Sequence, residues 1–485
     1  MGTAHIYDVI VIGAGPVGEN VADRAVAAGL STVIVESELV GGECSYWACE
    51  PSKALLRPVL LRAEASRVPG LHPAVAGPLD TAAVLAHRDR MSAHWDDTGQ
   101  VEWLASAGIA LVRGHGRLTG PRRVAVRTPD GGTVVLEARH AVAVCTGSRA
   151  ALPDLPGIDT LRPWTGREAT SAGKAPERLV VVGAGVVGTE MATAWQGLGS
   201  RVALVARGER LLPRMEPFAG ELVADALRAA GADLRLGVGV ARAEREPGPG
   251  GEVGITLTDG TELRAEEVLF ATGRAPRTDD IGLETVGLTA GEWLTVDDTL
   301  TVTDVPGDWL YAVGDVNARA LFTHQGKYQA RIAGAVIAAR AHGTPVDGTP
   351  WGPHTGTADT VAVPQVVFTS PEIAAVGLTA AEAERAGRDV DVVDREIGDV
   401  AGAHQHTPGY RGRARILVDR ERRVIVGATF AGPGVAELLH SATVAITTEA
   451  PVDRLWHAVP AFPTISEVWL RLLETYRDGV GHVSA

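Results

Sequence analysis

Two of the chain's three cysteines, Cys44 and Cys49, stand five positions apart in the run Gly41-Gly42-Glu43-Cys44-Ser45-Tyr46-Trp47-Ala48-Cys49-Glu50-Pro51-Ser52-Lys53. Thiols near a helix N-terminus are favoured as thiolates, and a pair cycling between dithiol and disulfide hands on two electrons. Lys53, one of three lysines, follows Cys49 by four positions. If one helix runs through both, its ammonium lies beside the inner sulfur or that sulfur's electron donor. Two buried free thiols with a snorkelling lysine are the plainer alternative. Neither a second Cys pair nor an ordered His set accompanies the run, so a metal site is poorly supported. His404 and His406, read as a Gly-bounded loop without a nearby carboxylate or Cys, are expected to face solvent.

The elements that must position this run begin with Tyr7 to Ile12, a continuous apolar stretch typical of a buried parallel strand. The turn Gly13-Ala14-Gly15-Pro16-Val17-Gly18, a helical segment to Ala28 and a strand from Ser31 to Val35 that ends at Glu36 complete a βαβ unit. Gly13, Gly15 and Gly18 allow a tight turn and close approach of backbone to a diphosphate. Glu36 is placed for ribose hydroxyls. The unit recurs as Arg178 to Val182, then Gly183, Gly185 and Gly188, a helix, and Arg201 to Val205. Two nucleotide sites are implied. At the place equivalent to Glu36 the second copy has Ala206 followed by Arg207, and a guanidinium there pairs with a 2'-phosphate that a carboxylate would repel, which selects NADPH. Arg210 and Arg214 are auxiliary candidates, against the alternative that all three are solvated surface charges.

Further along, Ala271-Thr272-Gly273-Arg274 follows the strand-like run VLF, and Trp309 to Val316 delivers Gly314 and Asp315 at the carboxyl end of a strand, where parallel sheets bind ligands. Residues 340–363, rich in Gly, Pro and Thr, read as a linker. Strands Arg415 to Val418 and Val424 to Thr429 and helices around 435–447 and 465–477 then form a separate α+β domain.

The chain has 485 residues, enough for three or four domains, and a net charge of -14. That charge argues against nucleic acid or an anionic membrane as partner and for a small molecule. No apolar stretch reaches the roughly 20 residues of a membrane helix. Three cysteines make no disulfide framework, and the N-terminus enters a strand without a basic segment or cleavage site, so the expected location is cytoplasmic.

The ordered motifs GAGPVG, Cys-x4-Cys-x-Pro-Ser-Lys, GAGVVGTE, FATGRAPRT, YAVGDV and PTISE make the chain resemble, over its whole length, the flavin-dependent pyridine nucleotide-disulfide oxidoreductases. This is the group of glutathione reductase, dihydrolipoamide dehydrogenase and mercuric reductase. The resemblance implies an α/β fold of two Rossmann-like nucleotide-binding domains plus a C-terminal α+β dimerisation domain. An FAD-binding domain would span 1–150 and 275–345, an NAD(P)-binding domain 151–274, and the dimerisation domain 346–485. FAD would lie on the first glycine turn, with Glu36, Thr146, Gly147, Gly314 and Asp315 among its binding residues, and Gly273 is a further cofactor-binding candidate. Cys49 would face the flavin, Cys44 would be the outer interchange thiol, and Lys53 would pair with Glu190 beside the flavin. In such homodimers the C-terminal domain of one subunit completes the active site of the other, and Glu467 belongs to that segment.

Departures from the family pattern are informative. Its thiol-disulfide reductases carry a His-Pro-Thr-x-x-Glu run; here it reads Phe462-Pro463-Thr464-Ile465-Ser466-Glu467. A phenyl ring holds no proton, and His457 is out of register to replace the missing acid-base group. Glu467 is then expected to be an orphan carboxylate beside an apolar ring. Tyr46 and Trp47 replace small residues between the cysteines, and Trp47 either walls a pocket for a planar acceptor or packs in the core. Glu43 stands where Thr is usual near the flavin phosphates, and its compensation is not assigned from the sequence. The expectation is an NADPH-dependent flavoprotein passing electrons through Cys44-Cys49 to a non-standard small-molecule acceptor. The alternatives are a quinone or other electrophile reduced directly at the flavin, or a non-catalytic flavoprotein subunit.

Overall fold

The computed structural model describes residues 4–248 and 250–479, which divide into two compact units. In the first, comprising residues 4–51, 89–151 and 273–360, the strand His5–Ile12 lies at the centre of a sheet. It pairs in parallel with Thr32–Glu36, Val9 opposite Thr32 and Ile12 opposite Val35, and on its other side with Thr133–Val144. Leu310–Ala312 joins the same sheet through Thr133–Val144. The last residues of His5–Ile12 are apolar on both faces because both are covered. Val9 and Val11 pack with Ala22 and Ala25 of the helix Pro16–Ala27 and with Val336 and Ile337 of the helix Thr323–Ala341. Ile10 and Ile12 join Val142, Val144 and Leu310 in a second core. The continuous hydrophobic run is the mark of a doubly covered parallel strand.

The second unit, the described residues of 52–88, 152–272 and 361–479, contains the repeat of that motif. Arg178–Val182 lies between Arg201–Ala206 and Glu267–Phe270, all parallel, with the helix Val186–Gly197 following the glycine turn. A five-stranded antiparallel sheet runs in the order Gln365–Val367, Glu372–Gly377, Ile425–Gly432, Arg413–Asp419, Val390–Glu396. The helices Leu439–Thr447 and Glu467–Arg477 pack on its core. The mixed α/β fold agrees with the expectation. No described helix is long and apolar enough to cross a membrane.

Two local readings are corrected. The span 340–363 is not a plain linker: the helix Thr323–Ala341 enters it, and the short helix Ala358–Val361 buries Asp359, whose Oδ1 accepts from Gln325 Nε2 at 2.8 Å. His404 and His406 lie on the helix Ala401–His406 and not in a loop, and the fold brings a carboxylate to one of them, with His406 Nε2 3.1 Å from Glu64 Oε1.

Candidate active site

Cys44 and Cys49 sit at neighbouring helix starts, Cys44 in Gly42–Tyr46 and Cys49 as the first residue of Cys49–Ala65, which carries Lys53 one turn on. A left-handed Gly41, at φ 109°, turns the chain into the first of these helices. Both sulfurs are free thiols, half-buried and hydrogen-bonded to each other. Thr323 Oγ1, at the start of Thr323–Ala341, lies 3.5 Å from Cys49 Sγ and also bonds Cys44. A thiolate is disfavoured at Cys44. The hydrogen bond with Cys49, then burial, push its thiol far up, and the Thr323 hydroxyl only partly opposes them. Cys44 therefore holds its proton. Tyr46 is taken into the core, 1% exposed, with its hydroxyl on Val40 O at 3.0 Å. Trp47 stays partly exposed, edge-on to Tyr46 at 5.7 Å.

The first glycine turn has the form of a diphosphate cradle. A Cβ on Gly18 would fall 1.9 Å from Gly13 O, and one on Gly42 only 2.7 Å from Gly15 Cα, so two turns approach closely there. Glu36 is buried. Its Oε2 accepts from Ala14 N and its Oε1 from Glu38 N, each at 2.7 Å, which tie the acid to the turn itself. Opposite, Thr146 Oγ1 is buried with no hydrogen-bond partner among the described residues, next to Gly147 at φ 71° with open space beside its Cα. Gly314, at φ 85°, is held by Gln329 Oε1 through its N–H at 2.7 Å. Asp315 accepts from Ser148 Oγ at 2.5 Å with Arg274 3.7 Å away, and burial raises its carboxyl. An orphaned hydroxyl, open glycines and a helix start fit a bound dinucleotide. Glu43, left uncompensated in the sequence, is met by Arg277, whose Nη2 donates to Glu43 Oε2 at 3.1 Å. The only hint was a second arginine three residues after Arg274 in FATGRAPRT.

In the second unit Gly183, Gly185 and Gly188 repeat the turn, with Gly183 at φ 127°. Arg207 is exposed just past the carboxyl end of Arg201–Ala206, and Arg210 and Arg214 are exposed in the loop that follows. Glu190, 4% exposed on Val186–Gly197, takes Lys53 Nζ at 2.8 Å on Oε2 and Phe368 N at 3.0 Å on Oε1. Glu467 is no orphan. The turn of Glu467–Arg477 brings Arg471 Nη2 to its Oε1 at 2.6 Å, while its buried Oε2 has no partner among the described residues. Phe462 is 77% exposed and His457 is exposed.

The family described as pyridine nucleotide-disulphide oxidoreductase matches residues 7–343, and its dimerisation domain matches 363–472. A dihydrolipoyl dehydrogenase of Haloferax volcanii is 35% identical over 96% of this chain and 95% of its own. A mercuric reductase of Streptomyces lividans is 32% identical over 99% of this chain and 98% of its own. Among solved structures, the HOCl-induced flavoprotein disulfide reductase RclA of Escherichia coli superposes with a TM-score of 0.81 at 22% identity, covering 96% of this chain and 99% of that one. LpdA of Mycobacterium tuberculosis gives 0.80 at 24% identity, covering 98% and 100%. At such identities these structures speak for the fold alone. Enzymes of this family use FAD and NAD(P)H, and the dimerisation domain supports a homodimer. Two glycine turns, a Cys-x4-Cys pair and full-length similarity together show that the chain belongs to the pyridine nucleotide-disulphide oxidoreductase family.

Proposed function

We propose that this oxidoreductase takes two electrons from NADPH and passes them through Cys44 and Cys49 to a cytoplasmic small-molecule acceptor other than a glutathione- or lipoamide-type disulfide. The same proposal assigns FAD to residues 1–150 and 275–345, the nicotinamide nucleotide to 151–274, and dimerisation to 346–485. FAD held there would supply two-electron chemistry between the nicotinamide and the sulfurs, the overall balance being NADPH, one proton and the disulfide to NADP+ and two thiols. The chain's own residues do the rest. Gly13, Gly15 and Gly18 admit the FAD diphosphate, Glu36 receives the ribose, and Arg207 pairs with the 2'-phosphate of NADPH. Glu190 fixes Lys53, and Thr323 orients the sulfurs through its hydroxyl. Cys44, which holds its proton, is the interchange thiol.

The observation that carries the acceptor is Phe462. A disulfide acceptor needs a proton delivered to its leaving thiolate, and positioned acid-base catalysis is worth roughly 100- to 10,000-fold. The phenyl ring supplies none, and the nearby acid Glu467 already holds Arg471. Quinones and other planar electrophiles need no such donor at that place. The test is NADPH oxidation by the purified enzyme and by Phe462→His, with small disulfides, quinones and metal ions as acceptors. The wild type is expected to favour quinones, and Phe462→His to gain on small disulfides. High wild-type activity on glutathione disulfide refutes the proposal.

A further inference from the structure

Within the first unit, Glu43 and Arg277 form a pair whose placement carries more than local stability. Glu43 follows Gly42, the residue that crowds Gly15 at the start of Pro16–Ala27, and its charge is close enough to Asp315 to oppose ionisation there. Three carboxylates, Glu36, Glu43 and Asp315, thus border one cradle, and a flavin diphosphate brings about two more negative charges into it. Like charges at this density disfavour binding unless cations answer them.

Two arginines stand at the cradle, and they are used differently. Arg274 faces Asp315: its Nε lies 3.7 Å from that carboxylate and donates to Ser148 Oγ at 2.5 Å, and its Nη2 donates to Ser148 O at 2.9 Å. Arg277 is anchored from one side, through Nε to Ser148 O at 3.2 Å and Nη2 to Glu43 at 3.1 Å, and its side chain remains 35% exposed. A guanidinium has five N–H donors in a planar fork, so two such bonds leave donors for an oxyanion. We infer that Arg277 is a ligand of the flavin diphosphate and that Glu43 is its counter-charge, a built-in pair that keeps the seat near neutral before the cofactor arrives.

A pair that only braces the fold and a pair that serves the diphosphate respond differently to the two single substitutions. Arg277→Gln leaves the Glu43 carboxylate facing the phosphates unanswered, while Glu43→Gln keeps an acceptor for Arg277 and frees its charge for them. The experiment follows FAD release from the holoenzyme by the rise of flavin fluorescence, at low and high salt. Arg277→Gln should release FAD about tenfold faster or more, the loss of one charge-assisted hydrogen bond. Glu43→Gln should release it no faster than wild type, Arg277→Lys should recover part of the loss, and the double variant should hold FAD better than Arg277→Gln alone. Equal acceleration in both single variants marks a merely structural pair and overturns the inference, as does wild-type release from Arg277→Gln. If Arg277→Gln does not fold, Arg277→Lys and Glu43→Gln still decide it, because faster release from Glu43→Gln than from Arg277→Lys contradicts the assignment.

Discussion

Replacing Lys53 by Met removes the ammonium that lies 2.8 Å from Glu190 Oε2 while preserving much of the side chain's length. The Glu190 side chain is 5% exposed, so the carboxylate left behind cannot recover its hydration. Breaking a buried pair by removing one partner costs about 3–5 kcal/mol. Two features reduce that here: Phe368 N still donates to Oε1 at 3.0 Å, and the lysine side chain is 38% exposed, which lets water approach its former position. About 2–3 kcal/mol is therefore expected for Lys53→Met. Glu190→Gln keeps an oxygen for Lys53, whose ammonium can stay hydrated, and should cost about 1 kcal/mol. Lys53→Met combined with Glu190→Gln leaves no uncompensated charge and should cost less than Lys53→Met alone. The assay is urea unfolding of all four proteins, with coincident circular dichroism and fluorescence transitions required before a free energy is taken from the midpoint. Costs that simply add in the double variant, or a Lys53→Met midpoint equal to wild type, would refute the view that Glu190 depends on Lys53.

Three other outcomes are expected. The wild type should prefer NADPH to NADH, and Arg207→Ala should narrow that preference about tenfold as one charged contact is lost, measured as the ratio of kcat/KM for the two nucleotides. Alkylation after NADPH treatment should label Cys44 and Cys49 but spare Cys145, which is buried in the sheet core with its thiol pushed up by that burial; mass spectrometry of the peptides checks this. Glu19, on the first turn of Pro16–Ala27, has its carboxyl pushed up by burial to about 7 from an ordinary 4.5, with Lys327 opposing the shift and Glu36 adding to it. The folded apoprotein thus binds its proton more tightly, a contribution fully present below about pH 4.5 and lost as pH rises through about 7. In Glu19→Gln that part of the stability-pH slope, at most about 3 kcal/mol over the window, should vanish from unfolding curves of the apoprotein.

Features of this protein governed by short-range sterics and periodicity were legible in its sequence. Glycines at 13, 18, 183 and 188 follow from turns where a Cβ would strike a backbone carbonyl or the chain must adopt a positive φ, and such needs are written within a few residues. The runs Tyr7 to Ile12 and Arg178 to Val182 announced strands covered on both faces, and the Cys49-Lys53 spacing announced the helix that carries both. Tertiary structure decided which charges meet. Glu43 and Arg277 are 234 positions apart, so their pairing depends on the path of the whole first unit. Lys53 and Glu190 are 137 apart, and only the motif resemblance joined them beforehand. His406 gained a carboxylate from Glu64, and Tyr46 went into the core because the fold, not its neighbours in sequence, supplied its walls. Even the short Glu467–Arg471 contact waited on the helix starting at Glu467 in a register that stacks the two residues. The proton on Cys44 belongs to the same class: ionisation depends on burial and on the atoms within a few ångströms, and those are set by packing.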